Sequence, residues 1–228
     1  AMPIQDEVLP EAARLLDAAD ARIAPPEARK ALASLRARGT LEAMGMKMSV
    51  EELYLGEERA SIAIRMPKMG AMTMGIEPRF AWTTDPAMGI LTVAGAEAAP
   101  MRRLMGFGRR APWRELYARA KTIGAETISG KECWKIEVLG AEGAVEHLFL
   151  ERESGLPLCV ELALPDFREG SLAMRFYFED WKPVAGILYP HRKRQVIGTY
   201  DLATRFESVE VGPTLEAAAV APPGEVLD

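Results

Sequence analysis

Apolar residues recur at every second position through most of this chain, a period that strands satisfy and helices do not. Ala60, Ile62, Ile64 and Met66 share one face of one such segment, and Trp134, Ile136 and Val138 share one face of another. Leu156, Leu158, Val160, Leu162 and Leu164 form a third alternating set. Leu172, Met174, Phe176 and Phe178 form a fourth, opposed by Ala173, Arg175, Tyr177 and Glu179. Turn residues punctuate these runs at Glu77-Pro78, Asp85-Pro86, Gly140–Gly143, Ser154-Gly155, Pro165–Gly170 and Pro183–Gly186. The pattern predicts about eleven strands in a curved antiparallel sheet, mainly β with helices (α+β), one face concave and apolar.

Methionine gives that face a character of its own. Eight of the twelve methionines lie between Met44 and Met88. Met44, Met46 and Met48 alternate with Gly45, Lys47 and Ser49, and Met72 and Met74 repeat the spacing. Read as one long strand over Leu41–Tyr54, the first three point to the same side. Unbranched, polarizable thioethers adapt to guests of several shapes. They also fill ordinary cores. A third reading is a copper(I) site, since thioethers select that soft ion. Three methionines in register along a strand lie about 6.6 Å apart, too far for one ion without another strand.

Helical periodicity is confined to two places. At the N-terminus Leu9, Ala12, Leu16, Ala19 and Ile23 recur at helical spacing, Pro25-Pro26 breaks the run, and a second helix is expected to continue to about Ala37 and stop at Gly39. Residues 10–37 are thus read as helices and 40–94 as strands. Helical character returns over 97–121, where Arg102, Arg103, Arg109, Arg110, Arg114, Arg119 and Lys121 face only Glu97 and Glu115. This segment is either a solvated cover or a basic amphipathic lid for an anionic surface. Residues 123–211 are strands. No composition break divides 1–212, so one domain is expected, with the Ala- and Pro-rich 213–228 as a flexible tail.

The bulk numbers exclude several classes. A net charge of −5 argues against general nucleic-acid binding. No apolar run approaches the roughly 20 residues of a membrane span. Ala1–Asp6 shows neither the basic start nor the apolar run of a signal peptide. Cys133 and Cys159 are expected on the first and third strands of a meander, about 9.6 Å apart at the usual strand spacing, beyond disulfide reach. His147 and His191 have no Cys, Asp or His at metal-ligand spacing. His-Glu-x-x-His, phosphate-loop, dinucleotide and nucleophile-elbow motifs are absent. The expectation is a non-catalytic protein without cofactor or metal.

Several segments, in order, resemble one family. Glu27–Leu32 leading into Ser34–Leu41, Phe80–Asp85 with Pro86 and Gly89, Gly130–Ile136, Leu148–Leu150 with Glu153–Leu156, and above all Asp180–Arg192 are similar to the motif set of periplasmic outer-membrane lipoprotein-sorting proteins, the LolA/LolB-like family. The likeness spans about residues 27–211. Glu77-Pro78-Arg79 replaces the family's usual Asp-Gly turn and Glu151 stands where aspartate is common. The resemblance implies an incomplete, half-open β-barrel capped by helices, a periplasmic location, and a lipid or lipoprotein acyl chain held in an apolar cavity. The candidate lining is Met44, Met46, Met48, Ile62, Ile64, Met66, Met72, Met74, Trp82 and Trp134. Arg102, Arg103, Arg109 and Arg110 are the candidate lid and headgroup residues. An envelope sensor or protein-interaction module on the same fold is the alternative, marked by a cavity filled with the protein's own side chains.

Overall fold

The computed structural model describes residues 9–30, 32–68, 70–85, 89–108, 110–165 and 171–224. Among the described residues two helices come first, α1 (Ala12–Ile23) and α2 (Pro26–Lys30). Six strands follow: β1 (Ser34–Ala43), β2 (Met46–Leu55), β3 (Arg59–Met66), β4 (Gly70–Ile76), β5 (Phe80–Asp85) and β6 (Gly89–Ala94). A 3-10 turn (Gly95–Ala98), α3 (Ala99–Gly108) and α4 (Trp113–Leu116) come next. Seven more strands complete the fold: β7 (Arg119–Ile128), β8 (Lys131–Leu139), β9 (Val145–Glu151), β10 (Pro157–Pro165), β11 (Ser171–Val184), β12 (Ile187–Ile197) and β13 (Tyr200–Val211).

Among the described residues thirteen strands form one antiparallel sheet, in the order β6-β5-β4-β3-β2-β1-β13-β12-β11-β10-β9-β8-β7. Two meanders are joined where the first strand pairs with the last, Leu35 opposite Val211 and Leu41 opposite Thr204. The free edges, β6 and β7, are consecutive in sequence, and the helical segment between them crosses the open side of the sheet. The sheet therefore remains an unclosed barrel, with α3 against β4 on one flank and β10 on the other.

Two strand boundaries differ from the sequence reading. The second helix ends at Lys30, and residues from Ser34 already belong to β1. Leu35 and Ala37 are buried while Arg36 and Arg38 reach Glu51 on the other face, a period of two that the helical reading passed over. The expected long strand Leu41–Tyr54 is a hairpin. Met44 and Gly45 both adopt positive φ, 49° and 75°, and Ala43 pairs with Met46. Two successive positive φ values define the tight turn whose twist suits a hairpin. Met-Gly lacks the asparagine or aspartate that normally announces it. The extra boundaries raise the strand number to thirteen.

Apolar residues of the concave face form two clusters. One joins β1–β5 with β12 and β13 around Leu35, Val50, Ile64, Ile76 and Phe206, and takes in Ile23 and Met105 from the helices. The other joins α1 and α4 to β8–β11 around Leu16, Trp113, Ile136, Leu148 and Phe178. Trp181 packs against both. A smaller cluster on the opposite face of β8–β11 holds Cys133, Phe149, Cys159 and Tyr177. The cysteines lie on β8 and β10 with β9 between them and are free, buried thiols. Burial pushes Cys133 up to about 11 and Cys159 up to about 12, far from the thiolate form.

The segment after β13 runs along the convex face. Ser34 Oγ donates to Pro213 O at 2.5 Å and Ser61 Oγ to Ala219 O at 3.3 Å. Val220 is fully buried, and Gly224 approaches Ile90. Among the described residues no helix is long and apolar enough to cross a membrane.

Candidate functional site: a lidded interior with buried charge

The lining expected from the sequence divides between three places. Met48 and Ile64 are buried in the concave cluster, and Ile62, Met66, Met72 and Met74 pack against it. Trp134 packs against the second concave cluster, with Arg152 over its ring at 4.0 Å. Met44 stands at the hairpin tip, 73% exposed, and Met46 beside it is 38% exposed. Trp82 is buried on the convex side. It pairs with Gly75, whose own neighbour Ser61 bonds the C-terminal segment, and its ring lies where a Cβ on Gly75 would come within 2.7 Å. The methionine stripe is therefore not continuous, because the turn at Met44-Gly45 takes its first members out of the interior.

The lid arginines are mostly engaged. Arg102 donates to Glu77 O at 2.7 Å. Arg103 is buried and makes two hydrogen bonds to Glu146 Oε1, at 2.8 and 2.6 Å, and an ion pair with Glu142 at 2.5 Å. Tyr117 Oη donates to the other oxygen of Glu146 at 2.5 Å. This cluster ties α3 and the end of α4 to β9 and the loop before it. Arg109 lies outside the described residues. Arg110 is buried at 5% exposure in a left-handed backbone conformation, φ 65°, just beyond α3.

Helix α1 holds the far end of the lid. Asp20 Oδ2 accepts the Trp113 backbone N–H at 2.8 Å, and Asp17 accepts Trp113 Nε1 at 2.7 Å and Arg114 Nη2 at 2.8 Å. Burial raises the Asp20 carboxyl to about 6 in spite of the Trp113 N–H and the Arg29 charge. Arg29 also donates to Arg110 O at 2.7 Å and to Ala24 O at 3.0 Å.

Period-two reasoning missed a second polar group in the middle of the concave face. Met48, Val50, Glu52 and Tyr54 share one side of β2, so Glu52 is turned inward with its apolar neighbours. Its Oε2 accepts from Tyr54 Oη at 2.7 Å, Tyr189 Oη at 3.1 Å and Lys193 Nζ at 2.6 Å. Burial, and then the Glu52 charge, holds both tyrosines well above the usual phenol range. Burial pulls Lys193 down, against the attraction of Glu52. The available signal was a charged residue at an inward position of an alternating run, as with Glu52, Lys193 and Glu146.

Between α1, the lid and β9–β11 a cavity of about 30 Å³ remains, lined by Leu16, Ile23, Phe107, Arg110, Phe178 and Trp181 among others. That volume accommodates about two waters. In this closed arrangement the interior is occupied by Leu104, Met105, Phe107 and Leu116 of the lid rather than by open space.

Comparison with protein-family models and with curated proteins finds no match. Solved structures do match. A LolA superfamily protein from Nitrosomonas europaea is 14% identical, with a TM-score of 0.61 over 94% of this chain and 99% of its own. A DUF1329 family protein from Desulfovibrio piger is 13% identical, with a TM-score of 0.59 over 93% of this chain and 100% of its own. A putative outer membrane lipoprotein-sorting protein domain from Vibrio parahaemolyticus is 14% identical, with a TM-score of 0.52 over 85% of this chain and 93% of its own. The chain has the LolA-like fold.

Proposed function

We propose that this protein is a non-catalytic, periplasmic binding or carrier protein that takes a lipid or lipoprotein acyl chain into its half-barrel. The observation that carries the reading is the composition of the closure. Each meander contributes an apolar cluster to the concave face, on either side of the buried Glu52–Lys193 pair; among the described residues the sheet does not close on itself, and α1, α2 and the α3–α4 segment pack against that face. Displacing Leu104, Met105, Phe107 and Leu116 of the lid would free a trough with apolar walls on both sides of the Glu52–Lys193 pair. Each CH₂ buried there would contribute about 0.8 kcal/mol before ordering costs. Met48, Met66, Met72 and Met74 supply adaptable wall, Ile62, Ile64 and Trp134 stiffer wall.

The filled interior favours a second reading, an envelope sensor or interaction module in which lid and sheet are a permanent core and another protein is the partner. Native mass spectrometry and solvent extraction of protein purified from its own envelope, with uptake of a fluorescent fatty acid, separate the two. Co-purified lipid or saturable uptake supports the carrier. A lipid-free protein that takes up no probe is the result that leaves only the interaction module.

A further inference from the structure

Arg110 is a buried cation without a complete set of partners. Its Nε donates to Gly108 O at 3.2 Å, but Nη2 is buried and has no hydrogen-bond partner among the described residues. The guanidinium lies 5.2 Å from the Tyr189 ring centroid, 5.5 Å from Trp181 and 5.8 Å from Phe178. Ring faces attract a cation, yet they do not replace a hydrogen-bond acceptor at Nη2. Guanidinium stays protonated even in such surroundings.

Among the described residues neither nearby carboxylate makes a hydrogen bond or ion pair with Arg110, and Glu52 is held through Oε2 by other donors. Glu52, whose charge bears on Arg110, accepts from Lys193, Tyr54 and Tyr189. The central cluster therefore contains two cations, Arg110 and Lys193, and one carboxylate. Asp20 lines the same cavity, with Oδ2 bonded to the Trp113 N–H and the Arg29 guanidinium beside it. Beyond these groups the cavity wall is apolar, formed by Leu16, Ile23, Phe107, Leu148 and Phe178. A buried cation with an unpaired N–H, on a residue that lines an otherwise apolar cavity, suits an anion attached to a hydrocarbon.

We infer that the interior site takes a single-chain amphiphile with an anionic head, a carboxylate or a phosphate monoester, seated against Arg110 Nη2 with its chain in the space between α1 and β9–β11 that Leu104, Phe107 and Leu116 vacate. This deepens the acyl-chain reading above and rests on it. It gives the lid a part in recognition, because Arg110 travels with the α3–α4 segment. The head would supply the acceptor that Nη2 lacks and would balance the second buried cation.

The test compares three ligands of equal chain length: a C16 fatty acid, the corresponding lysophosphatidate and the uncharged monoacylglycerol. Binding is read by displacement of a neutral fluorescent probe from the whole chain. A charge-assisted hydrogen bond of about 1.5–3 kcal/mol predicts that an anionic chain binds about 10- to 100-fold tighter than the neutral one. Arg110→Gln collapses that ratio towards one, and Arg110→Lys retains most of it. Thermal melts identify any variant that has failed to fold, in which case the wild-type ratio at low and high salt decides. Preference for fatty acid over lysophosphatidate, or the reverse, names the source of the charge. Equal affinity for neutral and anionic chains, or a preference that survives in folded Arg110→Gln, overturns the inference and leaves acyl binding standing. Failure of all three to displace a bound probe, or of the probe to bind, overturns the acyl-chain reading itself.

Discussion

Lys193 on β12 and Glu52 on β2 meet at 2.6 Å although β1 and β13 run between their strands. At the usual spacing of about 4.8 Å, three intervals of a flat sheet would separate those strands by about 14 Å. Side chains standing perpendicular to a flat sheet would not touch. The pair is thus made by curvature, and it crosses the junction at which the two meanders join.

Breaking this pair from one side is expected to destabilise the protein by about 3–5 kcal/mol, because the surviving charge stays buried. Glu52→Gln and Lys193→Met should each do so in urea unfolding. The double variant should recover a large part of the loss, since glutamine still accepts from Tyr54 and Tyr189. Additive losses in the double variant would mean that the two charges do not support each other.

The Asp20 carboxyl titrates at about 6 in the folded protein, above its ordinary 3.8, so the folded state holds the proton more tightly than the unfolded one. Its stabilising contribution is complete below about pH 4 and is lost as pH rises through about 6. Asp20→Asn keeps an oxygen for the Trp113 N–H and removes the titration. The melting temperature of Asp20→Asn minus that of the wild type should therefore increase between pH 4 and 6.5 and then level off. The charges facing Asp20 are Arg29, Asp17 and Glu115. A difference that does not vary with pH would remove Asp20 from the account.

Gly108 ends α3 beneath Tyr54, where an added Cβ would fall 1.9 Å from the phenol oxygen. Gly108→Ala must either lift the lid or turn Tyr54 from Glu52. A loss of about 1–3 kcal/mol is expected. Amide exchange in Ala99–Gly108 should accelerate more than exchange in β8–β10, and uniform acceleration would argue against a local effect.

Met46 and Met48 share a strand face but differ in surroundings, 38% against 7% exposed. Met46→Glu should change stability by no more than about 0.5 kcal/mol. Met48→Glu, placing a carboxylate among Leu41, Val50 and Ile64, should cost ~3 kcal/mol or more. Equal melting temperatures for the two variants would contradict the hairpin at Met44-Gly45.

Much of the sheet was legible because alternation survives wherever one face is packed. Trp134, Ile136 and Val138 on β8 and Phe176 and Phe178 on β11 lie inward as their spacing requires. The errors arise where local chemistry imitates something else. Ala28, Leu32 and Leu35 match a helical spacing, but Leu35 is flanked by Tyr54 and Val211 in the sheet. A period also assigns faces only within one strand. Trp82 follows its own alternation correctly, yet nothing in its strand says that the convex side is buried there as well, with the C-terminal segment bonded to neighbouring Ser61. The polar core was hidden for a related reason. Glu52, Lys193 and Glu146 stand at inward positions of their runs, but the partner that neutralises each lies on another element and no spacing within the strand names it.

The covalent path of the cover has a mechanical consequence. Because β6 and β7 are both the free margins of the sheet and the attachments of the helical segment, that segment is fastened at its two ends like a strap across an open hand. It has no loose end to swing outward. Access must come from slackening along its length, with the Asp20–Trp113 and Arg103–Glu146 bonds as the two buckles. On the proposed carrier reading a guest would enter sideways, beneath a span whose reach is limited by its own chain.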